Sequence, residues 1–421
     1  MHQLYLTMAL AAFTVVGLGL TSGLLQKLPL SRSLLALAIG VAAGPMGVGL
    51  MRPEDWGDPH LILKEAARLT LAISVMGVAL RIPAQDLPRL RRPLLLLLGP
   101  GLLLMWTVSS GLAWLAFGLA PLMALAVGAA ITPTDPVVAA SIVTGHVAKS
   151  TLPRDTRTIL STESGANDGL AYLLVLLPLL LLTEGTEAGL GRFLSHTIPV
   201  GVLLAVAIGA ALGGVTAIIL RVGDRRGWVA ESSILGMTVA LSLLAVSAAH
   251  AVGSDGILAS FAAGIAFNTL VGRKAEMEDE NVQEAVSKLF TLPVFVLTGA
   301  LLPWSDWVAQ GWELGLFALA VLALRRPLTL LVLAPFMGVK RRDAVFFGWF
   351  GPVGVAAIYY ALHAQEMLHD PRTWTITSAA VTASVLLHGV TASPGVFFYG
   401  RGAGGAGATK DGAQQVSHAS S

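Results

Sequence analysis

Two aspartates, Asp135 and Asp168, lie in stretches that are otherwise nearly free of charge, among hydroxyl, amide, glycine and proline residues. A carboxylate placed inside an apolar span is expensive and marks function by default. Asp135 belongs to Thr132-Pro133-Thr134-Asp135-Pro136. Each proline removes a backbone donor and disrupts the helical turn before it, so a helix is expected to break around Asp135. Freed carbonyls are tolerated at membrane depth only where they face protein or a water-filled cavity, and broken helices of this kind commonly form ion sites. The plainer alternative is a lone kink, with Asp135 capping the half-helix that follows.

Asp168 closes the run Ser161-Thr162-Glu163-Ser164-Gly165-Ala166-Asn167-Asp168-Gly169. On a helix, Glu163, Asn167, Ser164 and Asp168 fall within a sector of about 140°, with Ser161 just beyond. Gly165, Ala166 and Gly169 occupy the other side, where a second helix can approach closely. Glu163 needs a positive partner, and Arg325-Arg326-Pro327 offers one. Arginine does not deprotonate in proteins, so such a pair would order the structure rather than carry an ion. A second helix-breaking signal, Gly351-Pro352-Val353-Gly354, follows seven spans after the first. Two interrupted segments at corresponding places point to an inverted repeat, with the site where the breaks cross.

The elements that position these residues follow from composition. Of 421 residues, 55% are apolar and 12% charged, and the mean hydropathy is +0.74. That composition excludes an ordinary soluble domain. A spanning helix needs about 20 mostly apolar residues, and charged and Pro/Gly-rich breaks divide the chain into thirteen such stretches. Their expected limits are 4–26, 33–51, 62–82, 93–118, 119–145, 157–183, 195–221, 228–250, 255–272, 284–302, 311–337, 343–366 and 373–398. The boundary at Ala120 and Pro121 carries no charge, and merging the two stretches there would leave 12. With thirteen spans, one set of loops holds 19 of the 27 Lys and Arg and the opposite set 3, while 5 fall within spans. This bias places the N-terminus outside and the C-terminus in the cytoplasm. Residues 1–399 then form one integral membrane domain, and 400–421, rich in Gly, Ala, Ser and Gln, a disordered tail. The first stretch gains Lys27 and Arg32 only after it, the reverse of a cleavable signal. The absence of cysteine excludes disulfides and thiolate metal sites.

At these residues the sequence resembles the monovalent cation/proton antiporters, and among them the NhaP-like sodium/proton exchangers. The resemblance rests on Pro133-Thr134-Asp135-Pro136, on Glu163-Ser164 with Asn167-Asp168, on Arg326-Pro327, and on the Ser384 to Thr391 stretch with His388-Gly389. It implies an all-α fold with two crossing broken helices, in spans 5 and 12, and a homodimer built from a dimerisation domain and a moving core. It implies that Asp168 carries either the cation or the proton, with Thr134 and Ser164 offering oxygens to Na+. Asp135 and Asn167 would hold the crossing, and Glu163 would pair with Arg326. The Asn-Asp pair is similar to that of electroneutral members. One departure stands out: where family members often carry an acid late in the third span, this chain reads Met76-Gly77-Val78-Ala79-Leu80-Arg81.

A sodium-sized ion and a proton cannot both neutralise one carboxylate, so competition at Asp168 gives one-for-one exchange. The expectation is therefore secondary antiport of Na+ or Li+ for H+ across a cell (inner) membrane, without cofactor, enzyme activity or nucleic-acid partner. Alternatives are K+/H+ exchange through the same core and, more remotely, a channel or a transport-inactive sensor. An intramembrane aspartyl protease typically shows Tyr-Asp and Gly-x-Gly-Asp, whereas here Asp135 follows Thr and Asp168 follows Asn. The remaining polar features read blandly. Glu65 and Arg68 form a local pair, Asp255 is a helix cap, and the Glu276 to Glu280 run is a solvated loop. His60, His369 and His418 fall in loops or the tail, and His250 and His388 near span ends.

Overall fold

The computed structural model describes residues 2–25, 30–82, 86–135, 154–228, 234–271 and 289–403. Among them there is no strand. Helices α1 (His2–Leu20) and α2 (Arg32–Ala43) open the chain, and the Ser31 hydroxyl caps α2 by accepting from Leu34 N. In α3 (Pro59–Arg81), proline occupies the first position and Asp58 caps the end. That start draws His60 into the first helical turn, whereas it was expected in a loop. Proline needs no donor at that position, and its fixed φ suits a helix start.

Helix α4 (residues 87–117) runs through a π turn at Leu97–Gly101 containing Pro100, and α5 (Pro121–Ala130) follows after three residues. The chain folds back there, because a Cβ on Gly128 would sit 2.6 Å from Ser110 N. Then come α6 (Arg154–Glu184), α7 (Thr186–Arg225, with a π stretch around Pro199), α8 (Ile234–Ala251) and α9 (Gly256–Val271). The last elements are α10 (Leu289–Ala300), α11 (Trp304–Gln310), α12 (Trp312–Met337), α13 (Arg341–Trp349), α14 (Val355–Leu368) and α15 (Arg372–Ala403). Helix α15 passes the expected end of the membrane domain at residue 399.

Residues 88–117, 155–184, 186–225 and 312–337 are each long and apolar enough to cross a membrane. Others fall short for a local reason. Helix α5 unwinds after Ala130, and α13 and α14 are separated by the non-helical stretch 350–354. Pro136, the remainder of the fifth stretch, the Glu276 to Glu280 run and residues 404–421 lie outside the described residues.

Helices α3, α7, α8 and α9 pack together, and α4, α5, α6, α12, α14 and α15 form a second group. In the first group, a Cβ on Gly209 or Gly213 of α7 would lie 2.1 Å from a main-chain oxygen of α9. Only glycine permits that approach. Helix α6 faces α3 and α9 across the boundary, and α14 faces α3. Met76 and Val78, in the stretch of α3 that lacks an acid, are buried, and Val78 fills the space beside Gly165 of α6.

Candidate cation site

The two unwound segments meet. Asp135 N donates to Pro352 O at 2.9 Å, and a carboxylate oxygen of Asp135 accepts from Val355 N at 2.7 Å. The second bond satisfies a donor at the start of α14, where the aligned peptide dipoles favour negative charge. Arg325 does the converse. Its guanidinium donates to the carbonyls of Ile131, Thr132 and Pro133 and, at 2.5 Å, to Gly351 O. Carbonyls released where α5 and α13 end are thus met by a cation. Arg325 and Asp135 are both 1% exposed.

One face of α6 closes against this crossing. Asn167 Nδ2 donates to Thr134 Oγ1 at 2.7 Å and to Glu163 Oε1 at 3.0 Å, while its Oδ1 accepts from Thr134 N at 3.3 Å. The hydroxyls of Thr134 and Ser164 lie 3.1 Å apart. Arg326 grips Glu163 with two bonds, at 3.0 and 2.7 Å, and its Nε donates to Phe347 O at 3.3 Å. The structure therefore gathers Thr134, Asp135, Glu163, Ser164, Asn167 and Arg326 at one place. Pro133 is buried with them in the unwound turn.

Asp168 differs from every neighbour. It is fully buried, one helical turn from Ser164, and neither carboxylate oxygen has a hydrogen-bond partner among the described residues. Its main-chain oxygen accepts from the Tyr360 hydroxyl at 2.6 Å. A buried charge without donors is unfavourable, so a proton or a cation is required there.

Sequence reasoning left three supports unassigned. Tyr360 sits in an apolar run and gave no signal beyond its hydroxyl. Arg325 was visible beside Arg326, but its carbonyl partners were not. Ser384 Oγ accepts from Val353 N at 2.8 Å and contacts His388 Nδ1 at 3.1 Å, while His388 Nε2 donates to Trp349 O at 2.7 Å. This corrects the placement of His388 near a span end. In α15, as within the expected limits 373–398, His388 is mid-helix; it is 1% exposed and holds the second break through Trp349 O.

Toward the other end of α3, a cavity of about 430 Å³ is lined by Lys64, Glu366, Tyr172, Asp255 and Tyr359, among others. Tyr172 lies one turn beyond Asp168 on α6. Lys64 donates to Glu366 at 2.6 Å across the boundary between the two helix groups. Glu65 pairs with Arg68, and Asp255 caps α9 by accepting from Leu258 N at 2.6 Å.

The sodium/hydrogen exchanger transmembrane family model matches residues 10–398. Na+/H+ antiporter 2 of Zygosaccharomyces rouxii is 31% identical over 441 residues, covering 95% of this chain and 54% of that protein. A protein of Schizosaccharomyces pombe described as a probable Na+/H+ antiporter is 30% identical over 398 residues, covering 86% of this chain and 52% of that protein. This chain spans about half the length of these curated relatives. The fold is similar to that of the sodium proton antiporter MjNhaP1 of Methanocaldococcus jannaschii, with a TM-score of 0.77 at 17% identity, covering 94% of this chain and 98% of that one. Matched along nearly its whole length, this multi-pass membrane protein belongs to the sodium/hydrogen exchanger family.

Proposed function

We propose that the chain is a secondary antiporter exchanging Na+ or Li+ for H+, with Asp168 as the shared carrier. The balance of buried charge carries this reading. At the crossing there are two cations, Arg325 and Arg326, and three acids, Asp135, Glu163 and Asp168. Glu163 is matched by Arg326, and Asp135 and Arg325 offset opposite half-helix ends. One negative charge is left over, on the residue whose oxygens have no donor among the described residues. A single proton or monovalent cation neutralises it, and Ser164 and Thr134 supply hydroxyl oxygens of the kind a hard cation prefers. Each crossing of the neutralised site carries one or the other, so exchange is one for one and electroneutral.

The names of the relatives support sodium as the cation. The distribution of Lys and Arg supports an N-terminus outside and a C-terminus in the cytoplasm, in a cell membrane. The two helix groups suit a dimerisation domain (α3, α7, α8, α9) and a moving core carrying the site, with the two broken segments related as inverted repeats in a homodimer.

The test is alkalinisation of acid-loaded proteoliposomes, followed with a pH-sensitive dye on addition of Na+, Li+, K+ or choline, for wild type and Asp168→Asn. A response to Na+ and Li+ that the variant lacks is expected. A response to K+ alone would make the protein a K+/H+ antiporter, and exchange surviving in Asp168→Asn would overturn the carrier assignment.

A further inference from the structure

Asn167 and Asp168 are consecutive, and each is held by a different broken segment. Asn167 is bound through its side chain to Thr134. Asp168 is bound through its main-chain oxygen to Tyr360, five residues into the half-helix whose first donor Asp135 satisfies. An α-helical carbonyl ordinarily accepts from the N–H four residues on, here Tyr172. The Tyr360 hydroxyl adds a second donor to that carbonyl, on the residue that carries the unpartnered carboxylate. The phenol is fully buried, so water cannot replace its bond.

The opposite face of α6 cannot absorb movement. A Cβ on Gly165 would lie 2.7 Å from Val78 Cγ1, and one on Gly169 would lie 3.2 Å from Leu258 Cα. Helix α6 is therefore wedged at Asp168 between close-packed α3 and α9 on one side and the two crossing segments on the other. Tyr360 is the tie between the second segment and the carrier residue itself.

We propose that Tyr360 is a positioning residue for the cation. Its hydroxyl fixes the main chain of Asp168 so that the carboxylate meets an incoming Na+ in register with the Ser164 and Thr134 hydroxyls. The inference rests on Asp168 being the carrier. A proton needs one oxygen and little geometry, whereas a cation needs several oxygens at once. Loosening the residue therefore weakens Na+ binding more than proton binding.

Tyr360→Phe removes the hydroxyl and keeps the ring. In proteoliposomes it is expected to raise the Na+ concentration for half-maximal exchange roughly 3- to 10-fold, the effect of one hydrogen bond, with the maximal rate retained. Because Na+ and H+ compete, the acid-side midpoint of exchange at fixed saturating Na+ moves up by about 0.5 to 1 pH unit, the logarithm of that factor. Tyr359→Phe, in the neighbouring phenol that lines the cavity beside Lys64 and Asp255, is expected to leave both values unchanged. An unaltered Na+ dependence and pH midpoint in Tyr360→Phe would overturn the proposal, as would a lower maximal rate alone. Asp168→Asn run in parallel separates the two ideas, because exchange surviving there sinks the carrier assignment itself. Should Tyr360→Phe not fold, 3-fluorotyrosine at position 360 supplies a more acidic donor of nearly the same size. It is expected to tighten Na+ dependence, and an unchanged value would overturn the proposal.

Discussion

The Asp135 carboxylate accepts from Val355 N at 2.7 Å, although the two residues are 220 positions apart in sequence. This bond and that from Asp135 N to Pro352 O lock one unwound segment to the other. Asp135 thus offsets the positive end of α14, as Arg325 offsets the carbonyl ends. Side chains of the protein thus compensate the ends of both half-helices, which fits the proposal that Asp168 serves the ion.

That lock leaves no room at Gly354. A Cβ there would lie 1.9 Å from Asp135 Oδ2 and 2.6 Å from its Cγ. Gly354→Ala is expected to push the carboxylate off Val355 N and to lower exchange at least about tenfold, because a buried charge-assisted bond worth about 1.5–3 kcal/mol is lost. Gly315→Ala, where a Cβ meets nothing within 4 Å among the described residues, is expected to exchange normally. Dye-monitored Na+-driven exchange with both variants checks this, and equal activity would refute it.

Glu163 and Arg326 are expected to matter for stability more than for carriage. Their side chains are 1% and 3% exposed, with paired contacts. Removing one partner strands the other in a low-dielectric site, at a cost of about 3–5 kcal/mol. Glu163→Gln or Arg326→Gln should therefore melt well below wild type in detergent. Glu163→Leu combined with Arg326→Met should lose much less than the sum of the single changes. Additive losses would mean that the pair does not act as a unit.

The breaks in both segments were legible because proline and glycine act locally, Pro133 by its missing donor and Gly351-Pro352 likewise. The polar face of α6 was legible because helical periodicity alone brings Glu163, Ser164, Asn167 and Asp168 together. Partner choice was legible for Glu163, which pairs with Arg326 as the resemblance implies, but not elsewhere. Nothing near Asp135 in sequence names Val355, and nothing in the run Val355 to Leu362 sets Tyr360 apart from its apolar neighbours. His388 was misplaced although it lies ten residues inside the expected limits 373–398; its burial comes from Ser384 and Trp349, partners that composition does not reveal. Lys64 shows the same limit, because its pairing with Glu366 joins helices 302 positions apart.

Outside the spans, Asp370 offers a test of pH linkage. The Arg372 guanidinium beside it, bonding at 2.6–3.0 Å, holds its carboxyl below the usual carboxylate range. A lowered folded-state value contributes stability above the unfolded value of about 3.9, and that contribution is lost as pH falls through the folded value. Arg372 is largely exposed, so water screens the pair and the effect stays under about 1 kcal/mol. Asp370→Asn should lower the melting temperature slightly and equally at pH 6 and pH 8. A difference that grows between those two values would contradict this account.

Asn167 provides the sharpest test of how the proposed hydroxyl ligands are set. Its amide orientation is fixed by its partners, because a flip would turn Oδ1 toward the Glu163 carboxylate and leave Thr134 N facing a donor. Asn167→Ala removes the donor that orients Thr134 Oγ1, so the Na+ concentration for half-maximal exchange should rise roughly 3- to 10-fold. Asn167→Asp, although nearly the same shape, should fare worse in stability. An ionised Asp would set a second carboxylate about 3.0 Å from Glu163 Oε1, where Nδ2 now donates, and a protonated one has a single donor for two acceptors. The expected order of melting temperature is wild type, then Asn167→Ala, then Asn167→Asp, with proteoliposome Na+ titrations read beside it. If Asn167→Asp were as stable as wild type, the amide would not be bridging Thr134 and Glu163, and the α6 face would be held by the Arg326 pair and Tyr360 alone.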